Sequence, residues 1–134
     1  SSPDFFPTIL EACGLPAQPA AHKDGRSFLS TLKSGKAGPE RALFWHYPHY
    51  GNQGGAPGAA IIEGRWKLIE WFEEGRTELF DLEADEGETT DRAASESSRV
   101  RTLGERLHAW QAEAGAKRTT PNPRYNPDKP NGRR

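Results

Sequence analysis

The chain has 134 residues, of which 34% are hydrophobic and 28% charged, and its formal net charge is −1 at pH 7. This balance excludes the strongly basic surface that binds nucleic acid or an anionic membrane, and no apolar run approaches the roughly 20 residues that span a bilayer. We therefore expect one soluble domain with a modest core and with neither nucleic acid nor membrane as a partner. The single cysteine, Cys13, excludes an internal disulfide, and we expect it to be a small buried hydrophobic side chain. The sequence lacks an initiator methionine and a signal peptide, which suggests a fragment or a processed chain.

The first 40 residues predict two short helices joined by loops. Residues 4–13 form the first, with Asp4 as its N-cap and Gly14 as its stop. Its apolar side chains recur at the spacing of one helical face, at Phe6, Ile9, Leu10 and Cys13. Residues 27–32 predict one or two further helical turns, and residues 33–40 an exposed polar connection.

Strand signals dominate the middle of the chain. They cover residues 42–47, 60–62, 66–72 and 77–82, which are rich in β-branched and aromatic side chains and are separated by glycine-containing segments. The third of these segments carries apolar groups on both faces. The pattern predicts a small antiparallel sheet that is covered, at least in part, on each side.

A long helix is predicted after the sheet. Residues 96–115 place apolar side chains three and four apart on one stripe, at Val100, Leu103, Leu107, Trp110 and Ala114. Because this stripe needs a surface to cover it, we expect the helix to pack on the sheet and the fold to be α+β. The predicted organisation is a helical lead-in over residues 1–40, a sheet with its helix over residues 41–116, and a proline-rich extended or disordered tail over residues 117–134.

The histidines are the residues that most suggest chemistry. His46 and His49 flank Tyr47 and Pro48 where a strand gives way to a glycine-rich loop, and functional sites tend to lie at such places. The pair could hydrogen-bond an anionic or sugar-like ligand. It could also belong to a metal site, which would need a third ligand, or be structural.

Two loops resemble ligand-binding motifs without their key residues. The loop over residues 51–58 lacks the Gly-Lys-Ser/Thr ending of a phosphate-binding loop. The acidic run over residues 81–88 lacks the ligand spacing of a calcium loop, so we expect a solvated turn. On residues alone, the chain contains no complete catalytic apparatus, and we expect no metal site in it.

Four segments together resemble the sulfatase family of the alkaline phosphatase-like superfamily. Residues 4–16 are similar to the family's DxxPTLLxLAGLP, and residues 24–29 to its DGRSLLPLL. Residues 64–69 are similar to xGxYKLI, and residues 78–93 to ELYDLxxDPGExxNLA. The order and spacing of these segments extend the resemblance over residues 3–115. The stretch HYPHYGNQGG at residues 46–55 resembles a subset of the family, the bacterial arylsulfatase A-like enzymes.

The resemblance implies the C-terminal subdomain of a sulfatase, an enzyme that hydrolyses sulfate esters. Such a subdomain walls the substrate pocket and supports the catalytic domain of the parent enzyme, but is not catalytic alone. The family's nucleophile is a formylglycine made within a C-x-P-x-R motif, and a calcium ion lies beside it. Because Cys13 does not stand in such a motif, formylglycine and calcium are implied only for the parent catalytic domain, and this chain alone is expected to be inactive.

The resemblance also implies a site and a setting. The substrate-binding residues that it implies are His46, Tyr47, His49, Asn52 and Gln53, and no catalytic residue is implied within this chain. The substrate would be a sulfated glycan or an aryl sulfate. The family further suggests a periplasmic or extracellular location.

Two other interpretations compete with this one. The first is a non-catalytic carbohydrate-binding or interaction module, whose stacking platform would consist of Trp45, Tyr47, Tyr50 and Trp71, although we expect these aromatic side chains to lie in the core. The second is that the sheet edge and the long helix only dock the catalytic domain. Docking of that kind predicts an exposed apolar patch on the isolated chain.

Overall fold

The computed structural model describes residues 1–51, 55–120 and 123. The chain forms two compact units, Ser1–Leu43 and Phe44–Arg134. The helices are a 3-10 turn at Ser2–Asp4, α1 at Phe5–Ala12, α2 at Leu29–Ser34 and α3 at Ser97–Glu113, and the strands are β1 at Leu43–Tyr47, β2 at Gly58–Glu63, β3 at Trp66–Trp71 and β4 at Arg76–Asp81. None of the helices in these ranges combines the length and the apolar character needed to cross a membrane.

In the first unit, two polar side chains with little exposure connect the start of α1 to the segment that follows it. The Asp4 carboxylate accepts the backbone N–H of Arg26 at 2.8 Å and pairs with the guanidinium of Arg41. Thr8 Oγ1 donates to the Asp4 carbonyl at 2.6 Å and accepts the backbone N–H of Phe28 at 3.0 Å. Burial by itself would raise the pKa of Asp4, but the Arg26 N–H and the Arg41 guanidinium outweigh it and lower that pKa to about 2.

The side that α1 buries differs from the one predicted by its apolar spacing. Phe6 and Ile9 are 43% and 58% exposed, and Cys13 is exposed, so the prediction of a buried Cys13 is wrong. The residues that α1 buries are Pro7, Thr8 and Leu10. Thr8 explains the difference. Its hydroxyl hydrogen-bonds two backbone groups of this unit, so the side of α1 that carries Thr8 is the buried side. Apolar periodicity takes no account of such hydrogen bonds.

The four strands form one sheet in the order β1-β2-β3-β4, and the predicted antiparallel sheet with a long C-terminal helix and short N-terminal helices is confirmed. The β2–β3 hairpin pairs Glu63 with Trp66 across Gly64, whose φ is +56°. Glycine adopts this left-handed conformation without a steric penalty, as the turn requires. The α+β class therefore follows from local signals that the sequence carries.

The core lies between one face of the sheet and α3. Ile61, Leu68 and Leu79 are direct neighbours across β2, β3 and β4, and all three side chains are fully buried. Leu107 of α3 is fully buried too, and Leu103 is nearly so. Full burial of an aliphatic side chain contributes about 1.5–3 kcal/mol, so this cluster is a main source of stability in the second unit.

The acidic connection between β4 and α3 is ordered by its own carboxylates. Asp85 accepts the backbone N–H groups of Thr89 and Thr90, each at 2.8 Å, and Asp91 accepts that of Leu79 at 3.0 Å. The hydrogen bond from Thr90 is the main cause that holds the pKa of Asp85 below its usual value. These acidic side chains are therefore hydrogen-bond acceptors for the backbone of the turn.

Glu88 in the same connection has a left-handed backbone, with φ at 53°. Its two carboxylate oxygens lie 2.7 and 2.6 Å from Nζ of Lys67 on β3. A non-glycine residue in this conformation costs about 1–2 kcal/mol. The conformation brings the Glu88 side chain onto the sheet residue that it pairs with.

Candidate functional site

The two faces of β1 carry different groups. Phe44 stacks on Trp110 of α3, with ring centroids 5.0 Å apart and planes inclined by 10°, so this face of β1 is turned to the helix. His46 shares the face, because side chains two residues apart in a strand point the same way. Trp45 and Tyr47 consequently lie on the face turned away from α3.

His46 is a bridge between β1, α3 and the segment after α3. Its Nε2 lies 2.8 Å from the carbonyl oxygen of Lys117, and its Nδ1 lies 3.1 Å from Nε2 of Gln111. One arrangement satisfies both contacts: Nε2–H donates to Lys117, and Nδ1 accepts from the Gln111 amide. The Phe72 ring lies 5.3 Å away, centroid to centroid. Both ring nitrogens of His46 thus contact groups of the protein itself.

His49 and Tyr47 lie together on the other side of β1. Their rings meet edge to face with centroids 5.6 Å apart. Tyr47 is 55% exposed, and His49 is exposed as well. Asn52 and Gln53, the other predicted binding residues, lie outside the described residues. The structure therefore brings two of the five predicted site residues together and places His46 on the opposite face.

The prediction that the aromatic residues around β1 lie in the core is wrong. Trp45 and Tyr50 are 43% and 58% exposed, as Tyr47 is too. Trp71 is half-buried on the sheet, where its Nε1–H donates to Glu78 at 2.7 Å and the Arg76 guanidinium lies 5.0 Å from its ring centroid. Aromatic content predicted the strand correctly, but β1 is an edge strand with only one face turned to the helix.

A cleft of about 250 Å³ opens between the sheet and the end of α3, on the side of His46. It is lined from the sheet by His46, Glu70 and Phe72, and from α3 and the residues after it by His108, Gln111, Arg118 and Thr119. Within it, Nε2 of His108 lies 2.9 Å from both carboxylate oxygens of Glu70. Sequence reasoning missed this cleft because His108 and Glu70 are 38 residues apart and meet only through the packing of α3 on β3.

The cleft shares one end of the sheet with the glycine-rich loop. That loop connects Tyr47, the last residue of β1, to Gly58, the first of β2. Its far end is fixed by the backbone N–H of Phe72, which donates to the carbonyl of Pro57 at 3.0 Å. The end of β1, the start of β2 and the cleft therefore lie at the same end of the sheet, where Phe72 contacts both Pro57 and the cleft.

The chemistry available here is hydrogen bonding and charge. Across residues 1–51, 55–120 and 123, no group of three or more histidine, cysteine, aspartate or glutamate side chains is placed to hold a metal ion. These residues accordingly do not fit the calcium that the sulfatase resemblance implies.

Comparison with known proteins identifies the family. Residues 1–113 match the family described as N-sulphoglucosamine sulphohydrolase, C-terminal. The chain belongs to this family. It is thus a sulfatase C-terminal region, and the resemblance seen in the sequence is confirmed.

Individual relatives agree with this assignment. A sulfatase from Formosa agariphila is 31% identical over 121 residues, which cover 80% of this chain and 22% of the relative. The solved structure of BT4656 in complex with its substrate D-glucosamine-2-N,6-O-disulfate is similar with a TM-score of 0.67 and 23% identity, over 84% of this chain and 24% of that one. BT1596, a 2-O GAG sulfatase, has a TM-score of 0.66 and 22% identity, over 95% of this chain and 29% of its own.

The coverage figures also show how much of each relative this chain corresponds to. The sulfatase C-terminal region spans about a quarter of the length of the relatives it matches. At 22–23% identity, the two solved structures show a shared fold. His46, Tyr47 and His49 lie inside the matched residues, whereas Arg118 and Thr119 of the cleft lie beyond them.

Proposed function

We propose that this chain is the C-terminal subdomain of a sulfatase that hydrolyses sulfate esters of a glycan, and that it walls the substrate pocket without being catalytic alone. The observation that carries the proposal is the family match over residues 1–113, which covers all the helices and strands. The glycan is favoured over an aryl sulfate because BT4656 and BT1596 act on a sulfated glucosamine and on a GAG. The parent catalytic domain is then the principal partner.

The pocket wall would be the exposed pair Tyr47 and His49 with the loop that follows. Both side chains lie at the end of β1 and are open to a ligand, and the glycine-rich loop allows close approach of its backbone. We assign hydrogen bonding to the sulfate or to the leaving sugar oxygen to His49, because imidazole can donate a proton or a hydrogen bond near neutral pH. Asn52 and Gln53 of the loop would add amide contacts.

His46 has a different part in this proposal. Its two ring nitrogens already contact Lys117 and Gln111, so it would hold the wall in place from the helix side. It is a positioning residue for Tyr47, the next residue along β1. Substrate contact by His46 itself would require breaking one of these two hydrogen bonds.

The nucleophile and the metal would come from elsewhere in the parent enzyme. The only cysteine is followed by Gly14, Leu15 and Pro16, so no C-x-P-x-R motif is present in these 134 residues. We propose that formylglycine and calcium belong to the catalytic domain, and that the parent acts in the periplasm or outside the cell. The 134-residue chain alone should give no turnover of a sulfated sugar, and turnover by it would contradict the proposal.

The decisive test is substitution in the longer enzyme that contains this chain. We expect His49→Ala to lower kcat/KM for a sulfated glucosamine at least tenfold, with little change in Tm. His46→Ala should lower Tm as well as kcat/KM. His22→Ala serves as the control, because it lies in the first unit near Gln18 and Phe6. An unchanged kcat/KM in His49→Ala would leave the loop with a structural role only.

A non-catalytic carbohydrate-binding module is the second candidate, and the exposure of the aromatic side chains favours it. Trp45 and Tyr47 project from the same face of β1, 43% and 55% exposed, and flat aromatic rings of this kind can cover an apolar sugar face. The test is titration of the chain and of Trp45→Ala with neutral and sulfated oligosaccharides, followed by isothermal titration calorimetry, whose signal does not depend on Trp45. Binding that Trp45→Ala abolishes, together with a longer enzyme insensitive to His49→Ala, would favour the module.

A further inference from the structure

Among the described residues that line the cleft, Arg118 is the arginine and Glu70 the carboxylate. The Glu70 carboxylate lies 2.9 Å from Nε2 of His108, so its contact is with an imidazole. Within the described residues, Arg118 forms no ion pair. A guanidinium without a carboxylate partner beside an open cleft is a good contact for an oxyanion, because its fork of N–H donors matches two oxygens at once.

The backbone next to Arg118 is fixed in place. The preceding carbonyl, that of Lys117, accepts a hydrogen bond from His46 at 2.8 Å. One residue earlier, the N–H of Ala116 donates to the Gln111 carbonyl at 2.9 Å. Because the chain is held at these two points, a ligand has less backbone freedom to restrict when it binds at Arg118.

The remaining surface of the cleft suits one sugar residue. Phe72 supplies an aromatic wall beside the His46 ring, while Gln111 and Thr119 supply an amide and a hydroxyl. The volume of about 250 Å³ is below the range of about 300–1,000 Å³ typical of sites for drug-sized ligands. A single sugar ring with one charged substituent is therefore a better match than an oligosaccharide.

We propose that this cleft binds the acidic group of a sugar, a sulfate ester or a carboxylate, with Arg118 as the anion contact and Phe72 as the wall for the ring. The choice of an acidic sugar rests on the proposed function. The cleft is separate from the exposed pair Tyr47 and His49, since it lies on the helix face of the sheet. It would thus engage a sugar residue other than the one that Tyr47 and His49 contact.

The test is an NMR titration of the 15N-labelled 134-residue chain with four compounds: glucosamine 6-sulfate, glucuronic acid, unsubstituted glucosamine and inorganic sulfate. We expect saturable shifts of the amides of Phe72, Gln111 and Thr119 with one or both acidic sugars, and none with glucosamine. Comparison of glucosamine 6-sulfate with glucuronic acid identifies the anion that is preferred. Inorganic sulfate should bind more weakly, because it lacks the ring that contacts Phe72.

Variants separate a binding role of Arg118 from a structural one. Arg118→Ala should weaken binding of the acidic sugar at least tenfold, Arg118→Lys should recover part of it, and the control Arg101→Ala on the exposed side of α3 should bind like the unaltered chain. If Arg118 only stabilises the C-terminal end of α3, Arg118→Ala lowers Tm and leaves the titration unchanged. If the unaltered chain and Arg118→Ala bind the acidic sugar with the same affinity, the proposed site is wrong.

These measurements involve no turnover, so the two proposals can fail independently. A longer enzyme without sulfatase activity would refute the proposed function and leave a titration that depends on Arg118 in place. Shifts of equal size with glucosamine and with its 6-sulfate would refute the anion contact, whatever the activity of the longer enzyme.

Discussion

Nε2 of Gln111 lies 3.1 Å from Nδ1 of His46, so one hydrogen bond joins the last turns of α3 to an edge strand of the sheet. The Phe44–Trp110 stack lies beside it on the same two elements. Together with the contact from His46 to Lys117, these interactions fix β1 and the residues after α3 to each other. β1 leads directly into the loop of the candidate site, so they also support the end of the strand from which Tyr47 projects.

Replacement of His46 should therefore destabilise the second unit. His46→Ala removes two hydrogen bonds worth about 0.5–1.5 kcal/mol each, so we expect a loss of about 1–3 kcal/mol in the free energy of unfolding. Urea unfolding followed by tryptophan fluorescence measures it, because all four tryptophans lie in Phe44–Arg134. His49→Ala, at an exposed position, should stay within about 0.5 kcal/mol of the unaltered chain. Equal losses in the two variants would contradict the assigned role of His46.

Leu107 should be among the residues most sensitive to truncation. It is fully buried on the side of α3 that packs on β2 and β3, so Leu107→Ala should cost about 2–5 kcal/mol. The same urea titration measures this loss. Leu107→Met keeps most of the volume and should cost less than about 1.5 kcal/mol. Glu105→Ala, exposed on the same helix, is the control and should change the free energy of unfolding by no more than about 0.5 kcal/mol. A loss there as large as in Leu107→Ala would contradict the packing explanation.

Gly25 should tolerate no side chain. A Cβ at this position would lie 2.3 Å from the Pro3 carbonyl oxygen and 3.2 Å from Cγ of Pro7, so Gly25→Ala must displace backbone. We expect a loss of about 1–3 kcal/mol in the first unit. Amide exchange at Arg26 and Phe28 reports it, because their N–H groups bond Asp4 and Thr8.

Gly87→Ala provides the matched control for Gly25→Ala. Its Cβ would meet the nearest heavy atom, the Cγ2 methyl of Thr89, at an ordinary 3.4 Å. Exchange in the first unit should be unaffected by this change. Unaltered protection of Arg26 and Phe28 in Gly25→Ala would show that the close approach of Pro3 is easily relieved.

Asp4 should make the first unit sensitive to acid. Its pKa is about 2 in the folded chain against an ordinary 3.8, so its contribution is complete above pH about 4 and is lost as the pH falls from about 4 to 2. A difference of this size corresponds to at most about 2 kcal/mol. Amide exchange of Arg26 measured between pH 5 and 2.5 should accelerate in this window beyond its intrinsic pH dependence.

Asp4→Asn should remove that pH dependence and lower the protection at pH 5. The carboxamide keeps a hydrogen-bond acceptor for the Arg26 N–H but loses the charge that pairs with Arg41. Protection that falls equally with pH in Asp4→Asn and in the unaltered chain would assign the acid sensitivity to another carboxylate.

Much of the fold could be predicted because its signals are local. The aromatic and β-branched content of residues 66–72 and the three-and-four spacing of residues 96–115 correspond to β3 and α3 within a few residues. The orientation of α1 could not be predicted, since it depends on Thr8 and Asp4 bonding groups about 20 residues away. The local pattern of apolar residues predicts which helix or strand forms. In α1, long-range hydrogen bonds determine which side of the helix is buried.

The candidate site was predicted less completely for the same reason. His46 and His49 are three residues apart and suggested one site, but the end of β1 places them on different faces of the sheet. The cleft depends on His108, Glu70 and Arg118, which three separate segments bring together. No spacing of residues in the sequence predicts that a strand, a helix and the segment after that helix will line one cleft.

Two opposing effects on stability meet at Glu88. Its left-handed backbone opposes folding, while its carboxylate attracts Lys67. Glu88→Gly would relieve the first effect and abolish the second, so the net change could be close to zero although an ion pair has been lost. Glu88→Gln keeps the backbone strain and removes only the charge. Its loss of stability therefore measures the contribution of the ion pair with Lys67. A position can therefore seem indifferent to substitution because two sizeable effects cancel there.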